Sequence, residues 1–528
     1  MNGDATLTWL APFLGDLVAA GVRVLNDDRR GLAPAALCEV PSAAWGRVGE
    51  VAVRVGLRWA GLWASEYLGQ RRLNCCLSRD GGYVVVRTVL AADSVASQAP
   101  YYPAAERMER HCRDLWGIQF LDHPNPCRWT RHQAWSQHQA PLSSRFPLEG
   151  ECSGETPPDG DYPFRQAQGG SVHEIPVGPV HAGIIEPGHF RFQAAGETVL
   201  HLEERLGYTH KGIEKIAVGR DGEALLRLAG RVSGDSTVGH AWAACMAMER
   251  AAGITPPPRA AYLRAVLAER ERVANHLGDA GAICNDVGFA FGFYQFTRLK
   301  EEWLRGNGEH FGHRLLMDRL APGGLHVDLN AAATEALGRQ HLTLRQELRE
   351  LLPLLADNPA LQDRLHGTGV LRKAIAERLG CLGYVGRASG VDYDARRLHR
   401  YAPYDQFPVP SAVGVDGDVA ARLQVRFEEI STALNLLDGL IDHLPDGAVC
   451  TPWRARPEAE GLGIVEGWRG EILCYLRFDG GGRIARFFPR DPSWFSWPAL
   501  EQLIRDNIVP EFPVCNKSVN ASYSGHDL

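Results

Sequence analysis

Apolar residues along this chain recur with two periods, and the change from one to the other divides it. In "PPPRAAYLRAVLAERERVANHLGDAGAIC" and "DGDVAARLQVRFEEISTALNLLDGLIDHL" they return every three to four positions, which predicts long core helices. Prolines at the front of the first stretch suit a helix N-terminus. "PVGPVHAGIIEPGHFRFQAAGETVLHLEERLG" alternates instead, as a β-hairpin does, and so does the short run "GGYVVVRTVL". Near the front, "YPAAERMERHCRDLWG" has helical spacing. "PLEGECSGETPPDGDYPFRQAQGGS" has no period and many turn formers, so it reads as a linker.

These patterns predict an α+β protein in three parts. Residues 1–145 form an α/β domain, 146–172 the linker, and 173–528 a helical bundle with β-structure attached at both ends, the chain closing on strands and turns. A length of 528 residues supports more than one core. With 45% hydrophobic and 23% charged residues it has the composition of a packed globular protein. Net charge is −7 with no basic stripe, which argues against a nucleic-acid partner. The run "WLAPFLGDLVAAGV" is interrupted by Asp16 and lacks a basic region before it, so it reads as an amphipathic helix rather than a signal peptide. Nowhere do about 18 uncharged apolar residues follow one another, as a membrane span requires. The 12 cysteines include the adjacent Cys75 and Cys76 but no pair spaced by two residues, the usage of a reducing compartment.

Candidate chemistry gathers in "RVSGDSTVGHAWA", residues 231–243. Asp235, Ser236 and His240 stand at a helix start, where Asp and Ser commonly cap free N–H groups. A hydrolase or hydratase using Ser236 is the alternative, but "GDSTVG" lacks the small-residue frame of a nucleophile elbow.

From about His173 onward, "GPVHAGIIEPGHFRF", "ERLGYTHKGIEK", "ERERVANHL", "GRASGVDYDAR", "ARLQVRFEEI" and "EGWRGE" follow in one order. In that order they resemble the large subunit of membrane-bound nickel-iron hydrogenases of the formate hydrogenlyase and hydrogenase-4 type. That group is homologous to the quinone-site subunit of complex I. "MERHCRDLWGIQFLDHP" is similar to a signature of complex I's small peripheral-arm subunit, fused in front.

The resemblance implies four cysteine ligands for nickel, and the matching positions are Ser233, Ser236, Ser522 and Gly525. Hydroxyls are hard, weak ligands for such a centre, so the expectation is no metal and no cofactor held by this chain, and no hydrogenase activity. A 4Fe-4S cluster is expected in an adjacent small iron-sulfur subunit. Antiporter-like and other integral membrane subunits are the further partners, with a quinone or a soluble electron carrier as an additional one. The implied place is the cytoplasmic face of a membrane, in a redox-driven ion-translocating complex. His189 falls near complex I's quinone histidine, yet no tyrosine stands in residues 231–243 to complete that pair.

Glu214 matches the family's proton-relay glutamate, and Asp235, His240, His189 and His526 are expected to join it in one cleft. Two alternatives stay open: serines that merely fill the vacated space, and a hard metal on Asp235, His240 and His526. Glu269, Arg272 and His276 share a helix face with Glu271 and, with Arg387, Asp394, Arg422, Arg426 and Glu429, are expected to form a buried ion-pair network. Glu466, Arg469 and Glu471 of "EGWRGE" are assigned by the resemblance to the interface with the iron-sulfur subunit. A structural scaffold without a reaction and a quinone-reducing subunit are the competing functions.

Overall fold

The computed structural model describes residues 7–150, 159–181 and 185–528. Part of the expected linker, 151–158, and part of the "HAGII" stretch, 182–184, fall outside the described residues. The run read as an amphipathic helix is the helix Leu10–Ala19. Behind it a five-stranded sheet has the order Asn26–Leu32, Ala35–Glu39, Gly82–Val89, Gln70–Arg79, Arg58–Tyr67. Only the Ala35–Glu39 and Gly82–Val89 pair is parallel. Helix Glu106–Trp116 lies against the strand Arg58–Tyr67.

That strand is buried along nearly its whole length, which half-solvated strands are not. Its second face is covered by the end of the chain. Trp63 stacks on Phe488 with ring centroids 5.5 Å apart, Arg486 Nε donates to the Ala64 carbonyl at 2.7 Å, and Arg490 Nε donates to that of Ala60 at 3.0 Å. The first domain is therefore packed sheet to sheet on the strands Glu460–Gly467, Gly470–Phe478 and Ile484–Arg490.

The centre of the larger part is the helix Pro258–Asp286, 29 residues with buried positions on every side. Helices Thr237–Ala252, Ala290–Phe311, Val419–Asp442 and Phe512–Val519 surround it. The expected β-hairpin is a three-stranded meander, Val172–Val177, His189–Ala195 and Thr198–Arg205. One expectation is corrected: after Arg490 the chain does not continue in strands but folds as helices Ser493–Leu503, Phe512–Val519 and Tyr523–Asp527. "SWFSWPAL" is rich in aromatic residues of high strand propensity, but burial of its rings in the core decides the local structure.

Strands Glu460–Gly467 and Gly470–Phe478 are joined by the two-residue turn Trp468-Arg469, with Gly467 opposite Gly470. Gly470 has φ +129°, which favours glycine, and its neighbour Gly383 lies so close to the Arg469 carbonyl that a β-carbon there would collide.

Glu471, just beyond the turn, is the joint between the two domains. Its carboxylate accepts from Arg58 at 2.7 and 2.8 Å, from Tyr83 at 2.7 Å, from Tyr393 at 2.7 Å and from Arg490 at 2.5 Å. Burial alone pushes this carboxyl up, but Arg58 and Arg490 overcome it and hold it down at about 2. Relative to an ordinary value of about 4.3, this contribution to stability is complete above that value and is lost as pH falls towards 2. Glu471→Gln leaves two buried guanidinium groups uncompensated. We expect it to lower unfolding free energy at pH 7 by about 3–5 kcal/mol, read from urea midpoints. A loss below about 1 kcal/mol would contradict the assignment of Glu471 as the interdomain joint.

Candidate functional site

The two segments singled out in the sequence meet. Ser233, ahead of the short turn Gly234–Ser236, donates to Asp235 Oδ1 at 2.7 Å. Its Oγ lies 2.8 Å from Ser522 Oγ. Ser522 caps the last helix by accepting the Gly525 N–H at 2.9 Å. Because the one Ser233 hydroxyl proton goes to Asp235, the hydroxyls run in one direction: Ser522 donates to Ser233, and Ser233 to Asp235.

Arg469, at the tip of the hairpin, closes the group. It makes a bidentate pair with Asp235 at 2.7 and 2.6 Å, reaches Ser236 Oγ at 3.3 Å and donates through Nε to the Asn520 carbonyl at 2.7 Å. Trp468 Nε1 donates to the Asp235 carbonyl at 2.9 Å.

At Gly525 there is no room for any side chain. A β-carbon would stand 2.7 Å from Cγ and 2.8 Å from Oδ2 of Asp491. That carboxylate is fully buried and pairs with His240 Nε2 at 2.8 Å, while accepting the Ser493 N–H at 2.8 Å. Burial alone pushes the Asp491 carboxyl up, and the bond to His240 more than reverses this, holding it well below the usual carboxylate range. Asp491 was missed in the sequence, although "RDPSW" has the Asp-Pro order of a helix start.

The remaining candidates do not share one cleft. Glu214 sits at the domain joint, 3.1 Å from His111 Nε2 and 2.5 Å from Arg486. Burial pushes its carboxyl up, but Arg486 and His111 together hold it down at about 2. At neutral pH it is a fixed anion, which departs from the proton-relay expectation. His111 comes from the N-terminal domain and is itself oriented by Thr130, Nδ1 to Oγ1 2.6 Å. It was legible only as part of a helix, because its partner lies 103 positions away.

His189 is corrected too. It bonds the Gly178 carbonyl at 3.1 Å and Arg191 at 3.3 Å. Its strand neighbour Phe190 points instead into the cavity over the serines, because side chains alternate along a strand. The histidine that lines that cavity is His181. His526 pairs with Asp527 at 2.8 Å and packs on Trp494 with centroids 4.2 Å apart. Asp235, His240 and His526 therefore each have a separate partner and do not converge as a ligand set for a hard metal. Among the described residues no three His, Cys, Asp or Glu side chains are grouped to hold a metal ion.

The cavity above the serines has a volume of about 890 Å³. It is lined by helix Pro258–Asp286, through Asn275, Gly278 and Asp279, and by helix Phe512–Val519, through Phe512, Asn516 and Lys517. Ser233, Asp235, Arg469 and Ser522 form its floor, and Tyr523 lines it as well.

Behind the hairpin lies the expected ion network. Arg272 bonds Glu269 at 3.1 Å and Glu429 at 3.2 Å. Glu429 also takes His276 at 2.9 Å and Arg387 at 2.5 Å. Arg387 reaches Glu466 at 3.0 Å and Asp394 at 3.6 Å. Arg396, not foreseen, ties Asp394 at 2.7 Å to Glu269 at 2.9 Å. Burial pushes the Glu466 carboxyl up, Asp394 adds to this, and it stands at about 7.

Arg426 and Arg422 lie apart from this network. Arg426 pairs with Asp279 at 3.0 Å, and Arg422 bonds Ser518 Oγ and two backbone carbonyls. The interface assignment of Glu466, Arg469 and Glu471 is corrected as well. All three are buried inside this chain because the hairpin is wedged between its two domains, so none presents a face to a partner.

Comparison with known proteins bears on this arrangement. Residues 286–456 match the family described as respiratory-chain NADH dehydrogenase, 49 Kd subunit. Residues 71–152 match respiratory-chain NADH dehydrogenase, 30 Kd subunit, and 211–278 match nickel-dependent hydrogenase. Formate hydrogenlyase subunit 5 of Escherichia coli (strain K12) is 31% identical over 492 residues, 88% of this chain and 85% of that protein. Hydrogenase-4 component G of the same organism is 32% identical over 472 residues, 85% of this chain and 80% of that protein. In fold, the chain is similar to one in the membrane-bound sulfane sulfur reductase, an archaeal respiratory membrane complex. The TM-score is 0.64 at 24% identity, covering 68% of this chain and 99% of that one. The chain belongs to the family of hydrogenase large subunits of the formate hydrogenlyase and hydrogenase-4 type, homologous to complex I's 49 Kd subunit, in the form fused to a 30 Kd-type domain.

Proposed function

We propose that this chain is a peripheral subunit of a membrane-bound, redox-driven ion-translocating complex, and that it holds no nickel-iron centre. Its part is to link redox change on a neighbouring 4Fe-4S subunit to antiporter-like membrane subunits from the cytoplasmic face. The observation that carries this reading is Asp491. Its carboxylate occupies the space that a side chain at Gly525 would need, and the hydroxyls at Ser233 and Ser522 are engaged with each other. Such a set offers no soft ligand to nickel or iron.

The linking role has a physical route. A change of charge near the cavity floor acts on the Asp235–Arg469 pair. Arg469 is in the turn that follows the strand of Glu466, whose carboxyl at about 7 exchanges protons near neutrality. Glu271, in the wall of a smaller adjoining cavity that Asp235 also lines, is pushed up by burial to about 8 and adds a second such group. No helix among the described residues is long and apolar enough to cross a membrane, so in this reading contact with the membrane arm is made through partners. Glu214, a fixed anion, acts here by positioning His111 and Arg486 rather than by carrying protons.

Two measurements test this. Elemental analysis of the purified native complex should find no stoichiometric nickel in this subunit. The quadruple variant Ser233→Cys, Ser236→Cys, Ser522→Cys, Gly525→Cys should gain none while Asp491 remains; stoichiometric nickel in either sinks the reading. The same complex, frozen after addition of NAD(P)H, a ferredoxin, formate or a quinol, should show by electron paramagnetic resonance which donor reduces the cluster.

The geometry at Gly525 is tested separately by a double-mutant cycle. Gly525→Ala should cost about 1–3 kcal/mol in unfolding free energy. In an Asp491→Ala background that cost should fall by more than about 0.5 kcal/mol. Additive effects would show that Asp491 does not fill this corner.

A further inference from the structure

Lys300 is the feature of the cavity to which the coupling route assigns no part. It extends from helix Ala290–Phe311 across helix Pro258–Asp286 and lies on Gly278, where a β-carbon would stand 2.6 Å from Nζ and 3.1 Å from Cδ. Glycine inside a helix costs about 1 kcal/mol relative to alanine. Here it makes a seat for an ammonium group.

The seat has a particular place. Lys300, Asp235 and Asn275 line both the large cavity and a smaller one of about 110 Å³, so the ammonium stands where the two adjoin. Of the carboxylates lining the cavity, Asp235 is held by Arg469 at 2.6 Å, Asp279 by Arg426 at 2.9 Å and Glu186 by the Ser524 N–H at 3.1 Å; Asp286 and a second ammonium, Lys517, line it further along. Glu271 accepts the N–H groups of Val238 and Gly239 at 2.7 and 3.1 Å. Among the described residues Lys300 has no carboxylate within 4.0 Å and donates no hydrogen bond. Lys300 is half-buried and its ammonium lines the cavity without a carboxylate of its own, so an anion entering there meets an uncompensated positive charge. The rings of Phe190, Phe293 and Phe512 supply an apolar wall, and about 890 Å³ is the size of an organic-ligand site.

We propose that this cavity binds an amphipathic organic anion, its carboxylate on Lys300 and its apolar body along the phenylalanine wall. The inference rests on the reading that no metal centre fills the cavity floor. The ligand class differs from a neutral quinone in needing a negative charge.

The test compares two probes of equal shape, 2-naphthoate and 2-naphthalenemethanol, by calorimetric titration of the full chain at low salt. A charge-assisted bond predicts that naphthoate binds at least about tenfold more tightly. Lys300→Gln should remove that preference and leave the alcohol unchanged. Gly278→Ala, which keeps the lysine but fills its seat, should reduce the preference as well, with thermal melting confirming that both variants are folded. Equal affinity of the two probes, no binding of either, or an undiminished preference in Lys300→Gln overturns the inference and leaves the metal reading intact. Nickel in the chain overturns the metal reading by an independent measurement.

Discussion

Much of this structure depends on a turn of two residues. Trp468 and Arg469 can project from the hairpin tip only because Gly467 and Gly470 face each other and Gly470 adopts a φ of +129°. From that point three charged side chains reach three different sets of partners. Arg469 holds the cavity floor through Asp235. Glu466 enters the ion network through Arg387. Glu471 fastens the N-terminal domain through Arg58. Glu466 and Glu471 are register partners across the two strands and share one face of the hairpin, while Arg469 leaves from its tip, so a short hairpin serves three partners without extra chain. Each of these charges is buried and compensated, so the hairpin is as fixed as the core around it.

Elements with a long, regular period were legible in the sequence. Helices Pro258–Asp286 and Val419–Asp442 and strand Gly82–Val89 coincide with runs that have the period each structure demands. The helices after Arg490 were not legible, because aromatic residues there carry a strand preference that tertiary burial overrides. The site divides in the same way. Asp235 was found in a short segment whose chemistry is local, and Ser233 and Ser522, 289 positions apart, were brought together by the resemblance alone; the three do meet. His111, Asp491 and Arg486 were not found. Their partners Glu214 and His240 are 103, 251 and 272 positions distant in sequence, and no spacing rule reaches that far. His189 failed for a smaller reason: one step of strand alternation puts Phe190, not the histidine, into the cavity.

The ion network shows how far charge compensation goes and where it stops. Three guanidinium groups, Arg272, Arg387 and Arg396, face four carboxyl groups, Glu269, Asp394, Glu429 and Glu466. His276 adds little positive charge, because burial keeps its proton affinity low. One carboxyl is therefore in excess, and in a medium of low dielectric the excess is relieved by protonation rather than tolerated. Glu466 is the one pushed up, to about 7, while Glu429, with three partners, is held well below the ordinary range.

Buried ion pairs are weak evidence for stability, because removing two charges from water costs much of what their attraction returns. What such a network does supply is a strict condition on geometry: every member must be placed for its neighbours, or an uncompensated charge remains. Here that condition ties helix Pro258–Asp286, helix Val419–Asp442 and the hairpin into one body. A single proton on Glu466, whose carboxyl is raised to about 7 by burial and by Asp394, balances the set three residues before Arg469. The cavity floor and the network are thus both held by residues of the same two-residue turn and its flanks.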